Sequence, residues 1–177
     1  MRIWVLSILV ITAPFFAVAQ TPRTSCGMFT VYPSSEALVF DRLGNIDRKV
    51  GPGLSACVPF LETVLIEDTF SERHEDVEVF LSNVPCEISV AVIWNISDLE
   101  IYYTKGRETA AASGIQELVQ EALAYADIYD MGIEEEEILR YLNVGLHTSL
   151  QENDFAFQEL GVRFKRALPS FRNCVKE

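Results

Sequence analysis

The sequence predicts an α+β domain: an antiparallel-rich sheet lobe, then a lobe of two helices and a closing strand. Three observations carry that expectation. Short β-branched and aromatic runs, broken by turn residues, fill the stretch from Met28 to Ser97. Apolar residues then take helical spacing between Arg107 and Gln151. Strand-like alternation returns after Gly161. Strands followed by helices is the order of an α+β arrangement.

Residues 1–20 read as an export leader. Arg2 precedes an uncharged, largely apolar run from Ile3 to Ala19, which closes on Ala17-Val18-Ala19, the small-x-small ending that a signal peptidase accepts. Pro14 breaks a helix shortly before that site. The run also reaches the short end of what spans a bilayer. A cleaved signal peptide and a retained N-terminal membrane anchor therefore both stand, and either places the domain outside the cytoplasm, in the periplasm. Arg23-Thr24-Ser25 is too polar for lipid attachment at Cys26. The domain is expected over residues 26–169, with 170–177 as a short tail.

Met28–Val31 and Ala37–Phe40 are strand-length runs around a Pro33-Ser34-Ser35 turn. Leu43-Gly44-Asn45 and Gly51-Pro52-Gly53 mark further turns. Thr63–Asp68 and Val77–Ser82 follow as strands, with Ser71–Asp76 expected as a solvated connection. Cys86–Ser97 is the most β-rich stretch and is expected to be a central, largely buried strand. Ala111, Ile115, Leu118, Val119, Ala122, Leu123 and Ala126 make one face of a helix over Arg107–Asp127. Ile138, Leu139, Leu142, Leu146 and Leu150 make a second over Ile133–Gln151. Glu134–Glu137 suit the positive end of that helix dipole, and four consecutive carboxylates point four ways around a helix, so they do not read as a metal site. Val162–Arg166 alternates apolar and basic residues as the last strand.

The chain carries 14 Lys and Arg against 26 Asp and Glu, net −12. Without Arg2 the domain stands at 13 basic against 26 acidic side chains. Such a surface repels nucleic acid and anionic lipid headgroups except where a local patch intervenes. Four cysteines, Cys26, Cys57, Cys86 and Cys174, permit disulfides in an exported chain, in three pairings. Cys57 and Cys86 lie in apolar sequence where a thiol also serves as a small core residue. Cys26 and Cys174 lie near opposite ends and could staple the termini. There is no CxxC pair, which weakens zinc and dithiol redox readings.

Recognisable catalytic chemistry is sparse. His74 sits in a charged connection and His147 on a helix, and neither belongs to an HExxH pattern. No G-x-S-x-G elbow, Walker loop or G-x-G-x-x-G occurs, and Gly51-Pro52-Gly53 is too short to cradle a phosphate. No catalytic residue, cofactor or metal is expected. Asn95-Ile96-Ser97 is a formal glycosylation sequon inside an expected core strand.

Read in order, several segments resemble the SPFH domain, also called band 7 or the prohibitin-homology domain, and within it the HflC/HflK subgroup. They are Ala37-Leu38-Val39-Phe40 leading to Gly44-Asn45-Ile46; Gly51-Pro52-Gly53-Leu54 followed by Ser55–Val58, which the resemblance implies is a strand, and by Pro59-Phe60; Leu61–Val64 with Asp68-Thr69; the Trp strand Val90–Asp98; Tyr102-Tyr103; and Gly161–Arg166 with Leu168-Pro169. Order and spacing carry the likeness, which spans Gly27–Pro169.

The resemblance implies a non-enzymatic, membrane-associated scaffold that assembles with itself or a paralogue and modulates a membrane AAA protease. It also makes Leu54, Pro59 and Phe60 a candidate loop for touching lipid or a neighbouring subunit; the plainer account buries Phe60 as a core anchor. The family's coiled-coil helix would follow Pro169, whereas the sequence ends at Glu177, so a short form lacking that helix is expected. The rival readings are a soluble periplasmic binding or adaptor domain that has lost assembly and, further behind, a hydrolase with an unrecognised site.

Overall fold

The computed structural model describes residues 24–80, 87–124 and 135–172. The first half forms β1 (Thr24–Ser25), β2 (Met28–Val31), β3 (Ser35–Phe40), β4 (Ile46–Val50), β5 (Gly53–Ala56) and β6 (Thr63–Asp68). Then come β7 (Arg73–Phe80), β8 (Glu87–Ile96), α1 (Leu99–Lys105), α2 (Arg107–Ala124), α3 (Glu135–Glu152), α4 (Asp154–Glu159) and β9 (Val162–Arg172). The strands pair antiparallel as β1-β6-β3-β4, β2-β5 and β7-β8-β9. This is the expected α+β class.

Period-two alternation in β3 divides the interior into two clusters. Ala37 and Val39 face Val31, Cys57 and Val64 in a small cluster. Leu38 and Phe40 face the other way, into a large cluster built on β8 and the helices. β6 divides likewise, Val64 going to the small cluster and Leu65 to the large one. Two sheets thus lean on one continuous main core.

β8 is the central strand that its sequence predicts: Ile88, Val90, Val92, Trp94 and Ile96 are all buried. Trp94 packs against Tyr102 of α1, with ring centroids 6.1 Å apart. Ala111, Ile115, Leu118, Val119, Ala122 and Leu123 of α2 are buried as the stripe required, as are Leu142, Leu146 and Leu150 of α3. Ala126 and Glu134 lie outside the described residues, as do Cys86 and Cys174.

Asp98 caps α1 by accepting from the backbone N–H groups of Glu100 and Ile101. Burial alone would raise its carboxyl pKa, but those N–H groups and Lys49 outweigh burial and hold it low. Gly161 turns the chain into β9 at φ 70°, and its carbonyl accepts from the N–H groups of Ser97 and Asp98 at 2.9 and 3.1 Å. A Cβ there would press on the backbone of Asp98 and Tyr102, so only glycine fits.

Several expectations are corrected. Residues 73–76 belong to β7, not to a solvated connection, because an edge strand tolerates charge on its open face. β5 covers Gly53–Ala56 rather than Ser55–Val58, since Cys57 is bonded to Cys26 and the chain then turns out of the sheet. β9 continues past Arg166 to Arg172, held along its length by β8. β1, β4 and α4 were not foreseen.

Candidate functional site

The segment joining β5 to β6, residues 57–62, projects as a tight loop. Leu61 and Glu62 both donate their N–H to the carbonyl of Val58, closing a turn that has Pro59 and Phe60 at its head. Phe60 adopts φ 67°, a left-handed conformation that costs a bulky L-residue about 1–2 kcal/mol. Its side chain is 98% exposed. Burial as a core anchor is therefore overturned: the turn aims the ring outward, and β3, β6 and β8 fill the core without it.

The base of this prong is held from two sides. Cys57 is disulfide-bonded to Cys26, with Cα atoms 5.3 Å apart, and its N–H donates to the carbonyl of Gly27. On the other side Glu62 accepts the N–H of Val58 at 2.7 Å and a hydrogen bond from Arg48 of β4 at 2.8 Å. Arg48 also donates to the carbonyl of Ala56 and pairs with Asp47. The Arg48 guanidinium, and then the Val58 N–H, hold the Glu62 carboxyl below the usual carboxylate range. Glu62 in turn, with Asp47, raises the pKa of Arg48.

Beside the prong lies a surface hollow of about 480 Å³, lined in part by Leu43, Pro59, Phe60 and Leu61. Leu43 reaches it from the β3–β4 turn, whose shape is fixed by Asp41 accepting from the N–H groups of Leu43 and Asn45 and from the Asn45 side chain. Those bonds, the Asn45 side chain first, lower the Asp41 pKa. Leu43 is 87% exposed and Leu61 54%. An apolar side chain at a turn tip was the available signal for Leu43, and it passed as ordinary turn sequence. Pro59 and Phe60 thus meet in one place, while Leu54 lies exposed on β5 opposite Thr30, apart from the residues lining the hollow.

The cysteine pairing differs from the staple drawn between the termini: Cys26 bonds to Cys57, not Cys174, because β2 and β5 pair and bring their flanking residues together. Cys26, Cys57 and Glu62 also bring their ligand-type atoms within 4.8 Å of one another. His74 stands exposed on β7, and His147 of α3 packs edge-on against Phe164. Neither lines the hollow.

The sequence profile of the SPFH domain / Band 7 family matches residues 30–126, more than half of the chain. The chain belongs to the SPFH/band 7 family. No curated protein matches it. The matched residues take in the prong, the Trp94 strand and α2. The closing strand β9 follows the matched residues and completes the sheet around β8.

A second cluster ties the two halves of the SPFH domain together. Glu67 at the end of β6 pairs with Arg73 of β7 at 2.6 Å and with Arg107 of α2 at 3.5 Å. Arg73 lies over the rings of Trp94 and Tyr102, and Arg107 over Tyr103. Arg107 holds φ 61° at the junction of α1 and α2. Burial pushes the Tyr102 phenol up. Glu67 and the three rings thus link β6, β7, α1 and α2, and the cluster acts as a brace.

Proposed function

We propose that this protein is an exported, non-enzymatic SPFH scaffold that meets a membrane surface through the Phe60 prong and assembles laterally with its own kind or a paralogue. The observation that supports this most is Phe60 itself: an aromatic ring fully in solvent, in a backbone conformation that opposes stability, on a loop braced from both sides. Strain retained at a rigid exposed site points to use of that site. The family supports a membrane-associated scaffold role, and its members assemble with themselves or with paralogues. Modulation of a membrane AAA protease, as in the HflC/HflK subgroup, rests on the sequence likeness. The Cys26–Cys57 bond fits an oxidising compartment such as the periplasm.

Magnitudes define how the prong works. Burying Phe60, Leu43 and Leu61 in lipid would contribute on the order of 5 kcal/mol, or sub-millimolar affinity. One prong alone therefore binds reversibly. Stable attachment needs a second element, which residues 1–20 or neighbouring copies would supply. Thr24 pairs with Val64, close in sequence to the prong, so a tether entering there keeps the prong near the bilayer.

Flotation with zwitterionic vesicles and cross-linking in membranes test this reading. The chain should float and yield oligomers, and Phe60→Asp should cut flotation at least tenfold. Phe60→Gly should lose flotation too while gaining up to about 1 kcal/mol of stability by relieving the left-handed strain. A strictly monomeric protein recovered in the soluble fraction, with Phe60→Asp indistinguishable from the parent, would replace the scaffold with a released periplasmic adaptor.

A further inference from the structure

The base of the prong has the makings of a metal site. Cys26 Sγ, Cys57 Sγ and a Glu62 carboxylate oxygen lie within 4.8 Å of one another, and Cys26 and Glu62 both border the open hollow. Tetrahedral zinc sets thiolate sulfurs about 3.8 Å apart, from Zn–S bonds of about 2.3 Å. With the two Cα atoms 5.3 Å apart, side-chain rotation suffices to spread the sulfurs onto one ion. We propose that Cys26, Cys57 and Glu62 form a thiol-state site for a zinc-type divalent cation, so that the prong's base is clasped by a disulfide when oxidised and by the metal when reduced. This stands apart from the membrane reading, since metal binding is measured on the protein alone.

Charge and outer-shell contacts favour that site. Two thiolates with the Glu62 and Asp47 carboxylates carry four negative charges, of which Arg48 offsets one, so the reduced cluster keeps a negative surplus that a divalent cation offsets. Arg48 and the Val58 N–H already orient the Glu62 carboxylate, as hydrogen-bonded outer-shell partners do for metal ligands. Oε2 accepts from both the Val58 N–H and Arg48, whereas Oε1 accepts from Arg48 alone and has a further lone pair to offer. Three protein ligands leave the fourth position to water from the hollow.

The exchange balances with a dithiol reductant. One of its thiolates attacks Cys26 Sγ, the less buried sulfur, breaking the Sγ–Sγ bond and expelling Cys57 as a thiolate. Its second thiol then attacks the mixed disulfide, releases Cys26, and leaves with the reductant as its own disulfide. Two electrons pass to the protein, and the dithiol's two protons go to Cys26 and Cys57. Zn²⁺ displaces those protons as it binds.

The test uses the full chain carrying Cys86→Ser and Cys174→Ser, reduced with a water-soluble phosphine, which takes its oxygen from water and leaves no competing thiol. Titration with Zn²⁺, and with Co²⁺ as a spectroscopic probe, should show one ion per chain with thiolate-to-cobalt charge transfer. The unreduced protein should bind at least a hundredfold more weakly. Glu62→Gln should weaken binding tenfold or more, and Arg48→Met by 10–100-fold. In the chain with all four cysteines, Zn²⁺ should slow alkylation of Cys26 and Cys57 together, which keeps the proposal testable if a variant folds poorly. Equal uptake by the disulfide form, unchanged uptake in Glu62→Gln, or alkylation of Cys26 and Cys57 at the metal-free rate would overturn it.

Discussion

The two halves of the molecule solve the same problem with different means. The helical half and its three-stranded sheet bury Trp94, Tyr102, Ile115, Leu142, Leu150 and Phe157 almost completely in the main cluster. Among the described residues the first half buries Leu38, Phe40 and Leu65 in that cluster, with Ile46 packed against it, and otherwise buries Val31, Ala37, Val39, Cys57 and Val64. So few small side chains give modest burial, and the disulfide and the Arg48–Glu62 pair make up part of the difference. The larger apolar groups Phe60, Leu43 and Leu54 stand in solvent. The first half buries Phe40 in the shared core but leaves Phe60, an equally large ring, in solvent on a braced loop.

Substitutions can break this contrast, in descending size. Trp94→Ala should destabilise the whole domain by about 3–5 kcal/mol, because it opens a cavity in the shared core; denaturant titration measures it. Converting both Cys26 and Cys57 to Ser should cost about 2–4 kcal/mol through loop-closure entropy. That loss should appear as faster hydrogen exchange in β2, β5 and residues 57–62, with β8 and the helices protected as before. A uniform rise in exchange across both halves would mean that the small cluster is not an independent weak point.

The smallest effect depends on pH. The Glu62 carboxyl titrates below its ordinary 4.5 in the folded protein, chiefly through Arg48 and the Val58 N–H. A lowered folded-state pKa adds stability above the unfolded value, and that contribution disappears as pH falls through the folded value. Below about pH 4.5 the loop should therefore loosen, seen as exchange of the Val58 N–H, and Glu62→Gln should flatten the dependence. Asp98 is lowered in the same direction, so the window should show α1 fraying as well.

Much of the architecture was legible because burial and periodicity coincide. The β8 run is branched and aromatic throughout, and the α2 and α3 stripes repeat at helical spacing, so their buried faces could be read directly. β4 escaped because Asp47, Arg48 and Lys49 fill its middle. On an edge strand Arg48 and Lys49 are paired by Glu62 and Asp98, partners distant in sequence. β7 was shortened for a related reason: Arg73 is satisfied by Glu67 and by the rings of Trp94 and Tyr102, contacts that exist only once the halves meet.

The sequence alone determined the α+β class, the central Trp94 strand, both amphipathic helices and a family likeness concentrated in Gly51–Leu54, Pro59-Phe60 and the Trp strand. Those properties follow from local propensity and from hydrophobic period, which a single chain displays without its partners. Tertiary structure decided that Cys26 bonds to Cys57, that Leu43 joins the prong while Leu54 stands apart, and that Phe60 points to solvent. Each of these depends on which strands pair and in what register, and a fully exposed phenylalanine has the same composition as a buried one.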